Sequence, residues 1–370
     1  MAIDHVRGYF HGYSLKFSPT DLTHTNAAIF FTRWITHFCA PTFVFLAGTA
    51  ACMMSQRKTK QELSRFLFTR GLWLMFLELT LINFGWFFNP SFSFEPLQVI
   101  WALGLCMVVL SAFVYFPVKV VLVLGLIIVF GHNLLDGILP TGNTFGDFIW
   151  AELHVPKVFD LGIMKIRTNY PVLPWIGIMF LGYATGYLYS GQINSMKRKK
   201  ILLILGVSAI ALFTLLRLFN IYGDSAIRIS QESLLFSLMS FLNTTKYPPS
   251  LLYILMTLGP ALIFLSVAEK PLGTWARPLL HIGRVPMFFY LLHIFLIHGL
   301  SLIALILTGG DWRDAIITNG LRDFHPPGYG FSLWFTYIVW IVVVIILYPL
   351  CKWYDGYKSS HKEKWWLSYL

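Results

Sequence analysis

The chain has 370 residues, of which 56% are hydrophobic and only 12% charged, with a formal net charge of +11. Soluble domains carry roughly a quarter charged residues, so this balance excludes an ordinary soluble domain and predicts a polytopic membrane protein. The positive charge is no nucleic-acid footprint: it sits in short breaks between apolar runs, and no nucleic-acid-reading motif accompanies it.

In chain order, apolar runs fall near 1–13, 32–54, 70–88, 97–116, 118–134, 171–190, 201–219, 250–268, 285–308 and 332–351. The expected fold class is all-α, a polytopic transmembrane helical bundle of about ten spans forming one domain over residues 1–370. Met1 to Tyr13 would rise only about 20 Å at about 1.5 Å per residue, short of the roughly 30 Å a bilayer core requires. The first span is therefore expected to be N-terminally incomplete. The fourth and fifth runs meet at Phe116-Pro117. No cleavable signal peptide is expected, because Asp4, His5 and Arg7 interrupt the first run and no small-residue cleavage pattern follows it.

Basic residues set the orientation. Arg57, Lys58, Lys60, Arg65 and Arg70 follow the second run, Lys119 stands at the start of the fifth, and Lys197 to Lys200 follow the sixth. Lys270, Arg277 and Arg284 follow the eighth, and Lys352, Lys358, Lys362 and Lys364 the last. The opposite loops, 10–31, 87–96, 132–170, 220–249 and 309–331, hold most of the acids. Positive-inside then predicts a cytoplasmic C-terminus, with those five loops outside and the two long ones shaping a binding surface. Cys39, Cys52, Cys106 and Cys351 lie in or beside apolar runs without CxxC spacing, so neither a disulfide framework nor a structural metal is expected.

The chemistry-bearing residues are those whose charge is costly in lipid. On a helix Asp4 and Arg7 share a face at i,i+3, whereas His5 points about 100° away, beside Tyr9. Asp4 and His5 are therefore no dyad by themselves, and His5 needs a partner on another helix. His37 shares a face with Trp34 and Pro41, and Pro41 is expected to kink the second span. Imidazole is the side chain suited to taking a proton from a hydroxyl or amine near neutral pH, which makes His5 and His37 the candidate bases. Glu78, deep in the third span with Asn83 nearby, must be protonated or paired, as an interhelical hydrogen bond or a proton-handling group. Tyr290 and His293 share a face in the ninth span. Arg57, Lys58, Arg65 and Arg70 read either as contacts with anionic lipid or as a docking patch for the phosphates of an acyl-CoA. No GxxxxGK[ST] or GxGxxG is present, which argues against a nucleotide-hydrolysing engine.

Several blocks together resemble the membrane acetyltransferases grouped as the DUF1624 or heparan-α-glucosaminide N-acetyltransferase-like family of bacterial membrane proteins. They are Met1-Ala2-Ile3-Asp4-His5-Val6-Arg7, His37-Phe38-Cys39-Ala40-Pro41-Thr42-Phe43-Val44-Phe45-Leu46-Ala47-Gly48 and Thr69-Arg70-Gly71-Leu72-Trp73. Lys246-Tyr247-Pro248-Pro249-Ser250-Leu251-Leu252, Met256-Thr257-Leu258-Gly259-Pro260 and Tyr290-Leu291-Leu292-His293 complete the set. The resemblance implies a transmembrane acyltransferase of the inner membrane. Acetyl-CoA is then the cytoplasmic co-substrate, and a glycan or lipid-linked amine or hydroxyl is the acceptor on the outer face. A membrane histidine serves as base or transient acyl carrier. An Asp-x-x-Arg-Gly segment of the family is expected upstream of Met1. Because the lysosomal members place their active histidine in the loop after the first helix, His11 and His24 compete with His5 and His37.

On this reading His5 or His37 is the general base, with Asp4 and Arg7 setting the field around it. Tyr290, His293, Trp34 and Glu78 orient substrate or thioester, and Arg65 and Arg70 grip the CoA phosphates. No metal is expected, membrane lipid is a partner, and a homodimer is compatible with the chain. The alternative is a proton-coupled transporter or flippase using Asp4, His5, His37 and Glu78 as a relay. A further rival is a non-catalytic partner in an envelope assembly.

Overall fold

The computed structural model describes residues 1–12, 16–269, 273–321, 324, 326–364 and 366–367, and it is mostly helical. Tyr13, at the end of the first expected span, and Lys270, among the expected inner bases, lie outside the described residues. Helix α1 (Ala2–Phe10) is followed by α2 (Ala27–Thr36), α3 (Cys39–Ser55), α4 (Lys60–Leu77), a π-helical turn (Glu78–Ile82) and α5 (Asn83–Phe87). Next come β1 (Phe94–Leu97), α6 (Val99–Phe113), α7 (Val118–Gly131), α8 (Phe145–Leu153), β2 (Val158–Asp160) and β3 (Lys165–Thr168). The remaining helices are α9 (Leu173–Gly186), α10 (Ser195–Phe219), α11 (Leu234–Leu242), α12 (Leu251–Val267), α13 (Arg277–Arg284), α14 (Pro286–Leu307) and α15 (Leu333–Ser360).

Each of the ten apolar runs is helical, but the count of spans differs from the expectation. Among the described residues six helical stretches are long and apolar enough to cross a membrane: Ala27–Ser55, Lys60–Phe87, Val118–Leu135, Ser195–Phe219, Pro286–Leu307 and Leu333–Ser360. The others, α1, α6, α9 and α12, have 9, 15, 14 and 17 residues. At about 1.5 Å per residue even the longest of them covers only about 26 Å. These lengths and compositions mark an integral membrane protein.

The fold is not purely helical. β1, β3 and β2 form a three-stranded sheet in that order, with β1 parallel and β2 antiparallel to β3. It ties the 87–96 loop to the 132–170 loop. Pro96 lies in β1, an edge strand, where a missing N–H is tolerated.

The helical ladder of the second span breaks at His37-Phe38, one turn before Pro41. Pro41 has no N–H to give the His37 carbonyl four residues earlier, and that freed carbonyl accepts from Tyr253 Oη instead. This break puts the His37 side chain at a helix junction instead of on a continuous face.

Between helices, glycines provide the close approach that lipid cannot drive by hydrophobicity. A Cβ on Gly48 of α3 would collide with the Met179 carbonyl of α9, and one on Gly182 with the Phe45 carbonyl. Gly71 and Gly104 do the same for α4 and α6, where an added Cβ would lie 2.5 and 2.6 Å from the opposing carbonyl oxygen. Helix α1 packs against α2, α14 and α15, with Val6, Tyr9 and Phe10 buried. Its end is pinned to the start of α15 by Phe331 N–H donating to the Phe10 carbonyl (2.7 Å) and Gly12 N–H donating to the Phe331 carbonyl (3.2 Å).

Candidate active site

A cavity of about 720 Å³ opens where α1, the α2–α3 junction and the 94–98, 167–170 and 243–247 segments converge. Asp4, His5, Arg7, Arg33, His37 and Tyr290 all line it. Residues from opposite ends of the sequence thus share one wall, because α1 is short and wedged between α2 and α14.

His5 finds the partner that its position on α1 demands. Its Nδ1 lies 2.6 Å from His293 Nε2, and the two rings stack with centroids 4.9 Å apart. His293 is buried, and its Nδ1 lies 2.8 Å from the Phe289 carbonyl oxygen one turn earlier in α14. A carbonyl only accepts, so His293 Nδ1 carries the proton and its Nε2 carries the lone pair. His5 Nδ1–H must then donate to that lone pair. The chain of donors therefore leaves His5 Nε2 as the basic nitrogen, in the tautomer a general base requires. Trp86 meets the His5 ring edge-on at 4.6 Å and Tyr290 at 6.0 Å, which holds the imidazole from two further sides.

Asp4 pairs with Arg7, as its helical spacing predicts, at 2.5 Å. It also accepts from Arg33 of α2, a residue the sequence reading did not single out. Arg33 in turn reaches the Tyr247 hydroxyl, and Tyr247 donates to the Tyr170 hydroxyl at 3.3 Å. Lys246 completes the group, with its Nζ 5.0 Å above the Tyr247 ring and 5.5 Å from that of Tyr170. Among the described lining residues Asp4 is the one carboxylate, against Arg7, Arg33, Arg167 and Lys246. A half-enclosed wall with this surplus attracts anionic groups.

The 243–247 segment is held in place by two clamps. Asp224 accepts from Thr245 N–H (2.9 Å), Thr245 Oγ1 (2.7 Å) and Ser250 Oγ (2.7 Å). The fully buried Arg217 donates to the Phe241, Ser240, Asn243 and Ala226 carbonyls. Ser250 then caps α12 through the Tyr253 N–H. Lys246 and Tyr247 are thus set by a rigid shell, although they lie outside any helix.

The other expected residues divide. His37 lines the cavity; its carbonyl accepts from Tyr253 Oη (2.8 Å), and its buried Nδ1 has no hydrogen-bond partner among the described residues. Trp34 lies outside the cavity and donates its indole N–H to Met256 Sδ at 3.3 Å. Glu78 also lies outside it: its Oε2 accepts from the Ile100 and Trp101 N–H groups, both at 3.1 Å, and so caps the start of α6. His11 is buried at the α1–α15 bridge, and His24 is exposed beside Asp21 at 3.0 Å; neither lines the cavity. Both ring nitrogens of His298 rest against backbone carbonyls, those of Gly85 and Ala315.

Arg65 and Arg70 stand toward the opposite end of the α4–α5 stretch from Trp86, which lines the cavity. Arg70 lies over the Phe66 ring at 5.8 Å. From Arg70 to Trp86 the helical path is about 24 Å at about 1.5 Å per residue. The Asp-x-x-Arg-Gly spacing expected upstream is carried by Asp4, Arg7 and Gly8 themselves.

The defining pattern of one family, heparan-alpha-glucosaminide N-acetyltransferase, catalytic, matches residues 9–221. The match takes in Arg33, His37, Arg65, Arg70 and Glu78, while Asp4, His5, Lys246, Tyr247 and His293 fall outside it. No curated protein and no solved structure matches the chain. The match spans more than half of the sequence, and the chain belongs to the heparan-alpha-glucosaminide N-acetyltransferase catalytic family, a family of transferases.

Proposed function

We propose that the protein is a transmembrane acetyltransferase in which His5 is the general base. The acceptor is an amine or hydroxyl of a glycan or lipid-linked molecule in the outer cavity, and acetyl-CoA is the cytoplasmic co-substrate. The observation that carries this reading is the His5–His293–Phe289 carbonyl chain, which leaves a lone pair on His5 Nε2 in a cavity wall. His5 takes the acceptor's proton as its nitrogen or oxygen attacks the acetyl carbonyl, and the sulfur departs as the thiol once protonated. Asp4, held between Arg7 and Arg33, fixes the charge at the mouth of this reaction, and Tyr290 packs beside the base. His37 is the second imidazole of the cavity and contacts the acceptor. Arg65 and Arg70 sit among the basic loops that positive-inside assigns to the cytoplasm, where the phosphates of acetyl-CoA would dock. The same argument supports a cytoplasmic C-terminus, and the resemblance to bacterial membrane acetyltransferases supports an inner-membrane location, with ten helices at least partly in the bilayer.

The test is acetyl-CoA turnover by the purified full-length protein in lipid nanodiscs, with glucosamine as probe acceptor. Turnover that collapses in His5→Ala supports the reading. Wild-type-like turnover in both His5→Ala and His37→Ala refutes it, and proton-driven uptake without any thioester chemistry would instead establish a transporter. Mass spectrometry of envelope glycans from cells with and without the gene then identifies the acceptor by its missing acetyl groups.

A further inference from the structure

A transfer of this kind has two proton events, and the His5 chain accounts for one of them. The wall facing α2 holds a second oxygen suited to proton chemistry. The Tyr247 phenol oxygen accepts from Arg33 and Lys246, and its hydroxyl donates to that of Tyr170. Arg7, Arg33, Lys246, Tyr170 and Tyr253 are the titratable or charged groups around it, and three of these five are cations. The ring lines the same cavity as His5 and is connected to it through a continuous polar line, Tyr247–Arg33–Asp4, with Asp4 next to His5 in the chain. The Asp224 and Arg217 clamps hold its segment rigid. None of these contacts is needed for packing, because an apolar residue would fill the same space without three polar neighbours to satisfy.

We infer that Tyr247 is the general acid of the cavity, giving its phenolic proton to the departing sulfur while His5 takes the proton of the acceptor. This rests on the acetyl-transfer reading above. The C–S bond breaks as the new C–N or C–O bond forms, the sulfur leaves as a thiol with the Tyr247 proton, and the proton on His5 returns to the phenolate. No other reactant is consumed. Burial opposes ionisation of this phenol, but Lys246 and Arg33 outweigh it and bring the pKa from 10.0 to about 8, close to a working pH.

Tyr247→Phe in the full-length protein in nanodiscs tests the assignment with two donors. With acetyl-CoA, kcat is expected to fall at least about 100-fold with KM kept, the scale of a lost proton donor. With an acetyl thioester of an acidic aryl thiol, whose sulfur needs no proton to leave, the loss is expected to shrink to a few-fold. The wild-type rate should also decline as pH rises through about 8, and that limb should be absent from the variant. Lys246→Met gives an independent measurement: the ultraviolet tyrosinate band assigned to Tyr247 by difference from Tyr247→Phe should titrate at higher pH. Equal losses with both thioesters, or an alkaline limb that persists in Tyr247→Phe, overturn the acid role while leaving His5 as base. No turnover of either thioester by the wild type overturns the transferase reading, and the acid role with it.

Discussion

The coupling between His5 and His293 gives the most direct measurement of how the base is set. In His293→Leu the volume behind His5 stays filled, but His5 Nδ1–H, now 2.6 Å from its acceptor, loses it. An unsatisfied buried donor costs about 1–3 kcal/mol, and the imidazole becomes free to place its proton on either nitrogen. At about 1.4 kcal/mol per factor of ten, kcat should fall roughly 5- to 150-fold. His5→Ala removes the base itself and should cost about 10²–10⁴. Because His293 acts only through His5, the double variant should be no slower than His5→Ala alone, so the coupling energy equals the whole His293 effect. His293→Gln, which retains an acceptor oxygen, should recover part of the loss. The assay is single-turnover acetyl transfer with the four proteins at one pH. Independent, multiplicative losses would falsify the relay.

Asp4→Asn leaves Arg7 and Arg33 facing each other without the carboxylate between them, and breaking a buried pair in this way costs roughly 3–5 kcal/mol. A clear drop in melting temperature in detergent is expected; an unchanged one shows that the cavity is wetter than the geometry implies. Gly182→Ala would push a methyl against the Phe45 carbonyl and must separate α3 from α9. It should lower thermal stability more than Gly137→Ala, where an added Cβ meets nothing within 4 Å. Glu152, in α8, is pushed up to about 8 by burial, against the opposing bond from Trp101 Nε1 at 2.7 Å. Its folded pKa therefore exceeds the unfolded value, so the stability it supports is full below about 4.5 and is lost as pH rises toward 8. Glu152→Gln, neutral throughout, should match the wild type at pH 4 and exceed it at pH 8 in thermal unfolding; parallel pH curves for the two proteins refute this.

What the sequence made legible and what it hid follow from the same geometry. Spacing within one helix is periodic, so the Asp4–Arg7 pair and the divergence of His5 from Asp4 could both be read directly. Apolar runs located every main helix, and the Phe116-Pro117 junction between α6 and α7 stands where the proline put it. Contacts between helices carry no such period. The shared face of Tyr290 and His293 was visible, but only the packing of α1 against α14 shows that His293 meets His5 while Tyr290 reaches the cavity. Glu78 had to find a partner, and it found two N–H groups at the start of α6, reachable because β1 and the turn after α5 fold the chain back onto its own helix.

The residues missed altogether share one property: each belongs to a segment whose placement is decided by loops. Arg33 resembles an interfacial base near a helix end, and Lys246 and Tyr247 stand in a block notable for its prolines. Their chemistry exists only because Asp224 and Arg217 draw the 243–250 turn under α2. His5 and His293 stand on helices α1 and α14, where a shift would break packing along both. The opposite wall is built from loops anchored at a few hydrogen-bonded points, so it can change shape without moving His5. Acceptor choice should therefore map to the 94–98, 167–170 and 243–247 segments, and exchanging them between relatives should change which acceptor is acetylated while leaving thioester turnover dependent on His5.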